Sequence, residues 1–330
     1  PNFTLVTVTD EAIADQKERI ARGENADDAG LPPLSKSSGD KAKAIAREQT
    51  VSGWTLAADP SPGVSNSYLK QPIQISIPAN IRGTSGRFLV ASNAPRAALH
   101  CGADRRPDSN NAPSLEILDL ASGQRMGSIP LNFAAAALAI SPDGKRVITR
   151  GQARPSRLDV WDLETKEHIV GWKPKLTSWP AKQGNDPRDP WTFFRGVENV
   201  VSAEFVDSDH VLTVFSQATI LWKLPELTAV YVMPQVRATT LTPGRKYLLR
   251  AGDGAQRGII AHDSLTGEAV GKMPVKGVVS EIAVSASGDR LAIKAYQELI
   301  ALDWKTGAVQ TQFTLPHVSG RLSWSDDRYL

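Results

Sequence analysis

From about Gln71 onward, apolar side chains come in short runs that alternate with polar ones and are broken by Gly, Pro, Asp or Asn. A period of two sends successive side chains to opposite faces of an extended backbone, so each run predicts a β-strand with two differently buried faces. Leu158 and Val160 against Asp159, and Ile282 and Val284 against Glu281, show the alternation. Residues 1–50 lack it. There, Phe3–Val8 (FTLVTV) predicts one strand, Asp10–Arg22 predicts a polar helix capped by Asp10, and Gly30–Gly39 (GLPPLSKSSG) is linker in composition. The pattern therefore divides the chain into a polar, largely disordered linker over residues 1–70 and a β-rich domain over 71–330.

The β-rich part repeats. SLEILDLASGQ at Ser114–Gln124, RLDVWDLETKE at Arg157–Glu167, GIIAHDSLTGE at Gly258–Glu268 and ELIALDWKTGA at Glu298–Ala308 each place an Asp after an alternating run and before a tight turn. The Asp positions 119, 162, 263 and 303 are 43, 101 and 40 apart, and the long gap holds a fifth copy, ATILWKLPELT at Ala218–Thr228, with Lys223 in place of Asp. Upstream of each later copy lies a strand–turn–strand pattern: residues 137–150, 202–215, 238–251 and 281–294. RLSWSDDRYL at Arg321–Leu330 begins another. A period near 40 with four short strands per unit predicts the blades of an all-β propeller, each covering its neighbour's faces. Five complete four-stranded antiparallel blades, at about 72–130, 131–175, 198–235, 236–275 and 276–315, and a partial sixth are expected. Because the chain opens on Pro1 and stops within a unit, it reads as a piece of a longer protein; in a whole one, Phe3–Val8 would be available to close the ring.

SPDGK at Ser141–Lys145, with Asp143 and Gly144 in the first hairpin, and DVWDLETKE at Asp159–Glu167, with the Trp161–Asp162 pair, carry a likeness to a known family. The chain resembles the WD-repeat β-propellers over roughly residues 72–330. Leu118–Asp119, His262–Asp263 and Leu302–Asp303 are looser versions of the pair, and no blade has the Gly-His dipeptide of eukaryotic members, which points to the divergent bacterial kind. What the resemblance implies is a scaffold that binds other proteins.

Charge adds little to this picture: 38 basic against 35 acidic residues give a net charge of +3, a weak basis for nucleic acid as a partner. The longest apolar run, Phe133–Ile140, is far shorter than the roughly 18–20 residues that span a bilayer. Cys101 is the only cysteine, so no internal disulfide or Cys-rich metal site is available, and the compartment stays open.

The repeated Asp residues invite a metal assignment, but a carboxylate that accepts backbone N–H groups two residues on explains them more simply. Asp207–His210 (DSDH) and Ser325–Arg328 (SDDR) occupy hairpin positions and receive the same assignment. His100, His168, His210, His262 and His317 are dispersed and lack metal-ligand spacing. No GxSxG or P-loop is present, and Gly252, Gly254 and Gly258 read as a hairpin loop. HDSLTGEAV at His262–Val270 and LDWKTGAVQ at Leu302–Gln310 are similar to the Asp-x-x-Thr-Gly turn of quinoprotein-type propellers, although the docking Trp expected of those is replaced by Gly271 and Thr311.

One irregularity points to a contact surface. Lys173–Asn199 exceeds the roughly 12–15 residues of an ordinary connection and carries Trp179, Arg188, Trp191, Phe193, Phe194 and Arg195, the composition of interface anchors. The bland alternative is that these rings fold back over a blade edge. A second, polar insertion, Ala103–Ala112, contains Arg105 and Arg106. The sequence thus favours a non-catalytic protein-interaction platform, with no catalytic residue, cofactor or metal. The alternative is an enzyme or ligand-binding propeller, quinoprotein-like or with a central-channel site.

Overall fold

The computed structural model describes residues 4–8, 43–44, 88–101, 113–131, 135–151, 157–178, 200–215, 218–234, 238–252, 258–314 and 322. Among these residues every regular element is a strand, and no helix is long and apolar enough to cross a membrane. β1 (Thr4–Val8) and the two-residue β2 (Lys43–Ala44) precede five consecutive four-stranded meanders. The first comprises β3 (Phe88–Val90), β4 (Arg96–Cys101), β5 (Ser114–Asp119) and β6 (Arg125–Pro130). The second comprises β7 (Ala135–Ile140), β8 (Arg146–Gly151), β9 (Leu158–Asp162) and β10 (His168–Ser178). The third holds β11 (Val200–Phe205), β12 (His210–Phe215), β13 (Ala218–Lys223) and β14 (Thr228–Pro234). The fourth holds β15 (Thr239–Leu241), β16 (Tyr247–Ala251), β17 (Ile259–Asp263) and β18 (Ala269–Met273), and the fifth β19 (Val279–Val284), β20 (Arg290–Ala295), β21 (Glu298–Asp303) and β22 (Val309–Thr314). Neighbours in sequence are neighbours in each sheet, and the pairs are antiparallel. This is the blade unit of an all-β propeller, repeated five times.

Each expected blade contains one of these sheets, residues 72–87 of the first lie outside the described residues, and the second sheet runs past its expected limit. Lys173–Ser178, expected to open the long insertion, instead prolongs β10, because β1 supplies a partner: Thr4 faces Ser178, Val6 faces Lys175 and Val8 faces Lys173. The strand expected at Phe3–Val8 therefore exists, and it lies on the outer edge of the second sheet rather than in a blade of its own. β2 borders β14 in the same way. The helix expected over Asp10–Arg22 and the repeat start at Arg321–Leu330 lie outside the described residues, apart from Leu322.

The chain divides into two compact units, with the first two meanders in one and the last two in the other. In the first unit, Ala98, Leu115, Ile117 and Ile129 of the first sheet pack with Ala137, Ile140, Val147 and Leu163 of the second. In the second unit, Leu249, Ile259 and Ala261 of the fourth sheet pack with Ile282, Leu291, Ile293 and Trp304 around the fifth. A four-stranded meander cannot bury both of its faces alone, so face-to-face stacking supplies the apolar burial, worth roughly 1.5–3 kcal/mol for each large side chain fully removed from water.

Candidate functional site

The repeated turns hold themselves together. The Asp162 carboxylate accepts from the N–H groups of Glu164 and Thr165, both at 2.8 Å, and Asp263 accepts from Leu265 at 3.1 Å and Thr266 at 2.8 Å. Asp303 accepts from the backbone and hydroxyl of Thr306, both at 2.8 Å, and Asp119 from Ala121 N at 2.8 Å. Donation by Ala121 and by Thr306 holds Asp119 and Asp303 below the usual carboxylate range. Burial pushes Asp162 upward, but donation from Thr165 and Glu164 more than offsets it. The fifth residue of these turns is left-handed: Gly123, Gly267 and Gly307 take φ of 71°, 71° and 68°, and Lys166 takes 65° in the second sheet.

At the first hairpin, Asp143 and Gly144 meet neighbouring sheets. Asp143 accepts from Ser141 Oγ at 2.6 Å, Lys145 N at 3.1 Å and, from the third sheet, Ser208 Oγ at 2.8 Å. Burial works against its charge, but these donors hold its pKa low. Gly144 sits at φ 69° with its backbone against the first sheet, where an added Cβ would lie 2.8 Å from Arg96 Cβ. Arg96 Nη1 donates to the Gly144 carbonyl at 3.3 Å. The same position one blade on, Arg146, donates to the Ser208 carbonyl and pairs with Asp209 at 3.0 Å. In the first two sheets, the arginine that opens the second strand thus grips the first hairpin of the next sheet.

Between these clasps, Arg96, Asp119, Asp143, Lys145 and Glu164 line a shallow cleft of about 150 Å³ with Ala94 and Pro95. Small-molecule sites run to roughly 300–1,000 Å³, so this space suits a few waters. Its Asp143 and Arg96 groups are already committed to protein partners.

Inside the blades, Trp161 Nε1 donates to Thr149 Oγ1 at 3.1 Å, and in the third sheet Trp222 Nε1 donates to Thr213 Oγ1 at 2.8 Å. The sequence reading singled out Trp161 but not Trp222. The signal was present, since ATILWK aligns with RLDVWD, but Lys223 hid it. The corresponding positions of the fourth sheet hold His262 and Arg250, which are 0% and 1% exposed. His262 Nδ1 donates to the Gly267 carbonyl at 3.0 Å, and its Nε2 has no partner among the described residues. Burial, reinforced by the Arg250 charge, pushes the pKa of His262 down to about 4.

Two other imidazoles meet carboxylates. His168 Nε2 lies 2.8 Å from Asp159, which Arg157 also binds at 2.8 Å, and His210 Nδ1 lies 2.9 Å from Asp207. Among the described residues neither ring meets a hydroxyl or thiol that such a pair would activate. The buried Cys101 thiol is pushed up to about 11 by burial, then by Glu116, and remains a protonated core group.

The six contact residues Trp179, Arg188, Trp191, Phe193, Phe194 and Arg195 lie outside the described residues. The structure does place their attachment points, Ser178 at the end of β10 and Val200 at the start of β11. In a meander, successive connections leave from opposite ends. The Asp turns and first hairpins therefore occupy one end of each sheet. The connections 102–112, 152–156 and 179–199 leave from the other end.

No family model and no curated protein matches the chain. Among solved structures it is similar to Hsv2 from Kluyvelomyces marxianus, with 9% identity over 67% of this chain and 58% of that one, at a TM-score of 0.45. It is also similar to Hsv2 from Kluyveromyces lactis, with 11% identity over 70% of this chain and 64% of that one, at 0.45. The β-propeller domain of Myceliophteria thermophila Cps50 (Swd1) shares 19% identity over 73% and 74%, at 0.43. The chain thus spans less than two thirds of the length of the two Hsv2 proteins. Likenesses of this size bear on neither activity nor partner.

Proposed function

We propose that the chain is a non-catalytic protein-interaction platform, with residues 71–330 forming a WD-repeat-like propeller domain, residues 1–70 acting as its linker, and the 179–199 connection its principal contact. The observation that carries this reading is the division of labour between the two ends of each sheet. At the turn end, the conspicuous carboxylates are consumed by the backbone N–H groups and hydroxyls they accept. The other end bears the longest connection in the β-rich part, with Trp179, Trp191, Phe193 and Phe194 interleaved with Arg188 and Arg195. Aromatic and Arg side chains are the residue types that dominate binding energy in interfaces, because they bury large areas at low entropic cost.

The test is affinity capture from native extract with the intact chain beside a Trp191→Ala/Phe193→Ala/Phe194→Ala variant, with thermal unfolding measured for both. Retention of one protein partner by the parent and its loss from an equally stable variant is the expected result. A partner held equally by both would remove the 179–199 connection from the interface, and capture of nothing by either would sink the platform reading.

A further inference from the structure

Two face-to-face contacts in this chain use equivalent positions. On the first sheet the receiving residues are Ala98, Leu115 and Ile117, which take Ala137 and Ile140 from β7 of the second. On the fourth they are Leu249, Ile259 and Ala261, which take Ile282 from β19, with Val284 packed beside it. Opposed residues of an antiparallel pair project from the same face, so the pairings with the strand that ends in the turn Asp carry this set to the fifth sheet. There it is Ala292, Leu299 and Ala301. Ile300 and Leu302 turn to the fourth sheet, so these three look the other way. Each of the first two sets holds one Ala, and the fifth sheet's holds two, which leaves room for a larger arriving side chain.

Among the described residues no strand covers this face of the fifth sheet. Beyond β22 the described residue is Leu322, whose N–H donates to Glu281 Oε1 at 2.7 Å. Glu281 opposes Lys294 and Ala283 opposes Ala292, so Glu281 belongs to the same face. Arg290 belongs to it as well, since it opposes Asp303 as Arg96 opposes Asp119 and Arg146 opposes Asp162. It therefore stands where those two arginines reach for the hairpin of the next sheet.

We propose that residues 322–330 (LSWSDDRYL) dock on this face, with Leu322 and Trp324 in the places that Ile282 and Val284 take against the fourth sheet, and with Arg290 closing on the Ser325–Arg328 hairpin. The spacing within the two pairs is the same, and the arriving side chains are larger where the receiving set is smaller. Asp326 and Asp327 give the hairpin carboxylates to meet a guanidinium, as Asp209 meets Arg146. A separate partner would have to displace a segment already tied to Glu281.

Thermal unfolding of the full chain tests the size match. Trp324→Val removes the arriving ring and should lower the melting temperature by about 4 °C or more. Ala301→Ile supplies the residue that the first sheet carries at this position. Alone it crowds Trp324 and should also lower the melting temperature, but combined with Trp324→Val it should recover most of the loss. Arg290→Met should cost less in a chain ending at Leu322 than in the full chain, because the hairpin it grips is then gone. Should a core variant fail to fold, iodide quenching of the parent beside the conservative Trp324→Phe reads the ring directly, and the fluorescence lost in the variant should be shielded from iodide. Additive losses at residues 301 and 324, an equal cost of Arg290→Met in both chains, or a Trp324 signal quenched as freely as tryptophan in solution would each overturn the proposal.

Discussion

The second and fourth sheets are the same meander built on different chemistry. In the second, the half-buried Trp161 donates its indole N–H to Thr149, a neutral pair that fills the space between two strands and leaves nothing unsatisfied. In the fourth, the equivalent positions bury an imidazole, His262, beside a guanidinium, Arg250. Both sheets keep the Asp turn, through Asp162 and Asp263, and the same antiparallel ladder. The difference teaches that the turn and the ladder define the blade, while the interior pair is free to change provided its volume is kept and its polar atoms are accommodated. The cost of the fourth sheet's solution is sensitivity to protons.

The largest effect follows from that sensitivity. The His262 pKa falls from an ordinary 6.5 to about 4 on folding, so the unfolded chain binds a proton that the folded chain refuses. His262 therefore carries no penalty above pH 6.5, and stability is lost as pH falls from there toward 4. The expected loss is about 3 kcal/mol. His262→Leu, the residue at this position in the first and fifth sheets, should flatten this decline between pH 6.5 and 4.5 in chemical denaturation. Equal slopes for parent and variant would show that His262 is solvated.

A smaller effect sharpens the contrast from the neutral side. Thr213→Val keeps the shape of the third sheet's interior but leaves the buried Trp222 N–H without its acceptor. Unfolding free energy should fall by about 1–3 kcal/mol, with no change in the pH profile between 6.5 and 4.5. The smallest effect lies in the turns. Lys166 holds a left-handed conformation that Gly267 adopts in the fourth sheet without a steric cost. Lys166→Gly should therefore stabilise the chain by about 0.5–1 kcal/mol, read as a rise in melting temperature. A fall would show that contact of the Lys166 side chain with the Gly127 backbone outweighs the strain.

Much of this was legible beforehand because it is local. Alternation and breakers located the strands, and Asp at a fixed place before a tight turn predicted the carboxylate-to-backbone bonds now seen at Asp119, Asp162, Asp263 and Asp303. Arg250 was not legible as an interior residue, since a charge in a strand reads as a solvent-facing position, and only the packing of β16, buried at every residue, contradicts that. The extension of β10 was equally hidden. Lys173–Ser178 is polar and proline-containing, and it becomes strand because β1, far away in sequence, lies against it.

The sequence by itself determined the repeat, the strands and the turn chemistry, because each rests on interactions among residues a few positions apart. Only the tertiary structure decided which strand edges are covered, which arginines clasp the neighbouring hairpin and which titratable groups lose water. Those outcomes depend on surfaces brought together from distant parts of the chain. Desolvation and edge pairing are properties of the assembled sheets, and no local pattern encodes them.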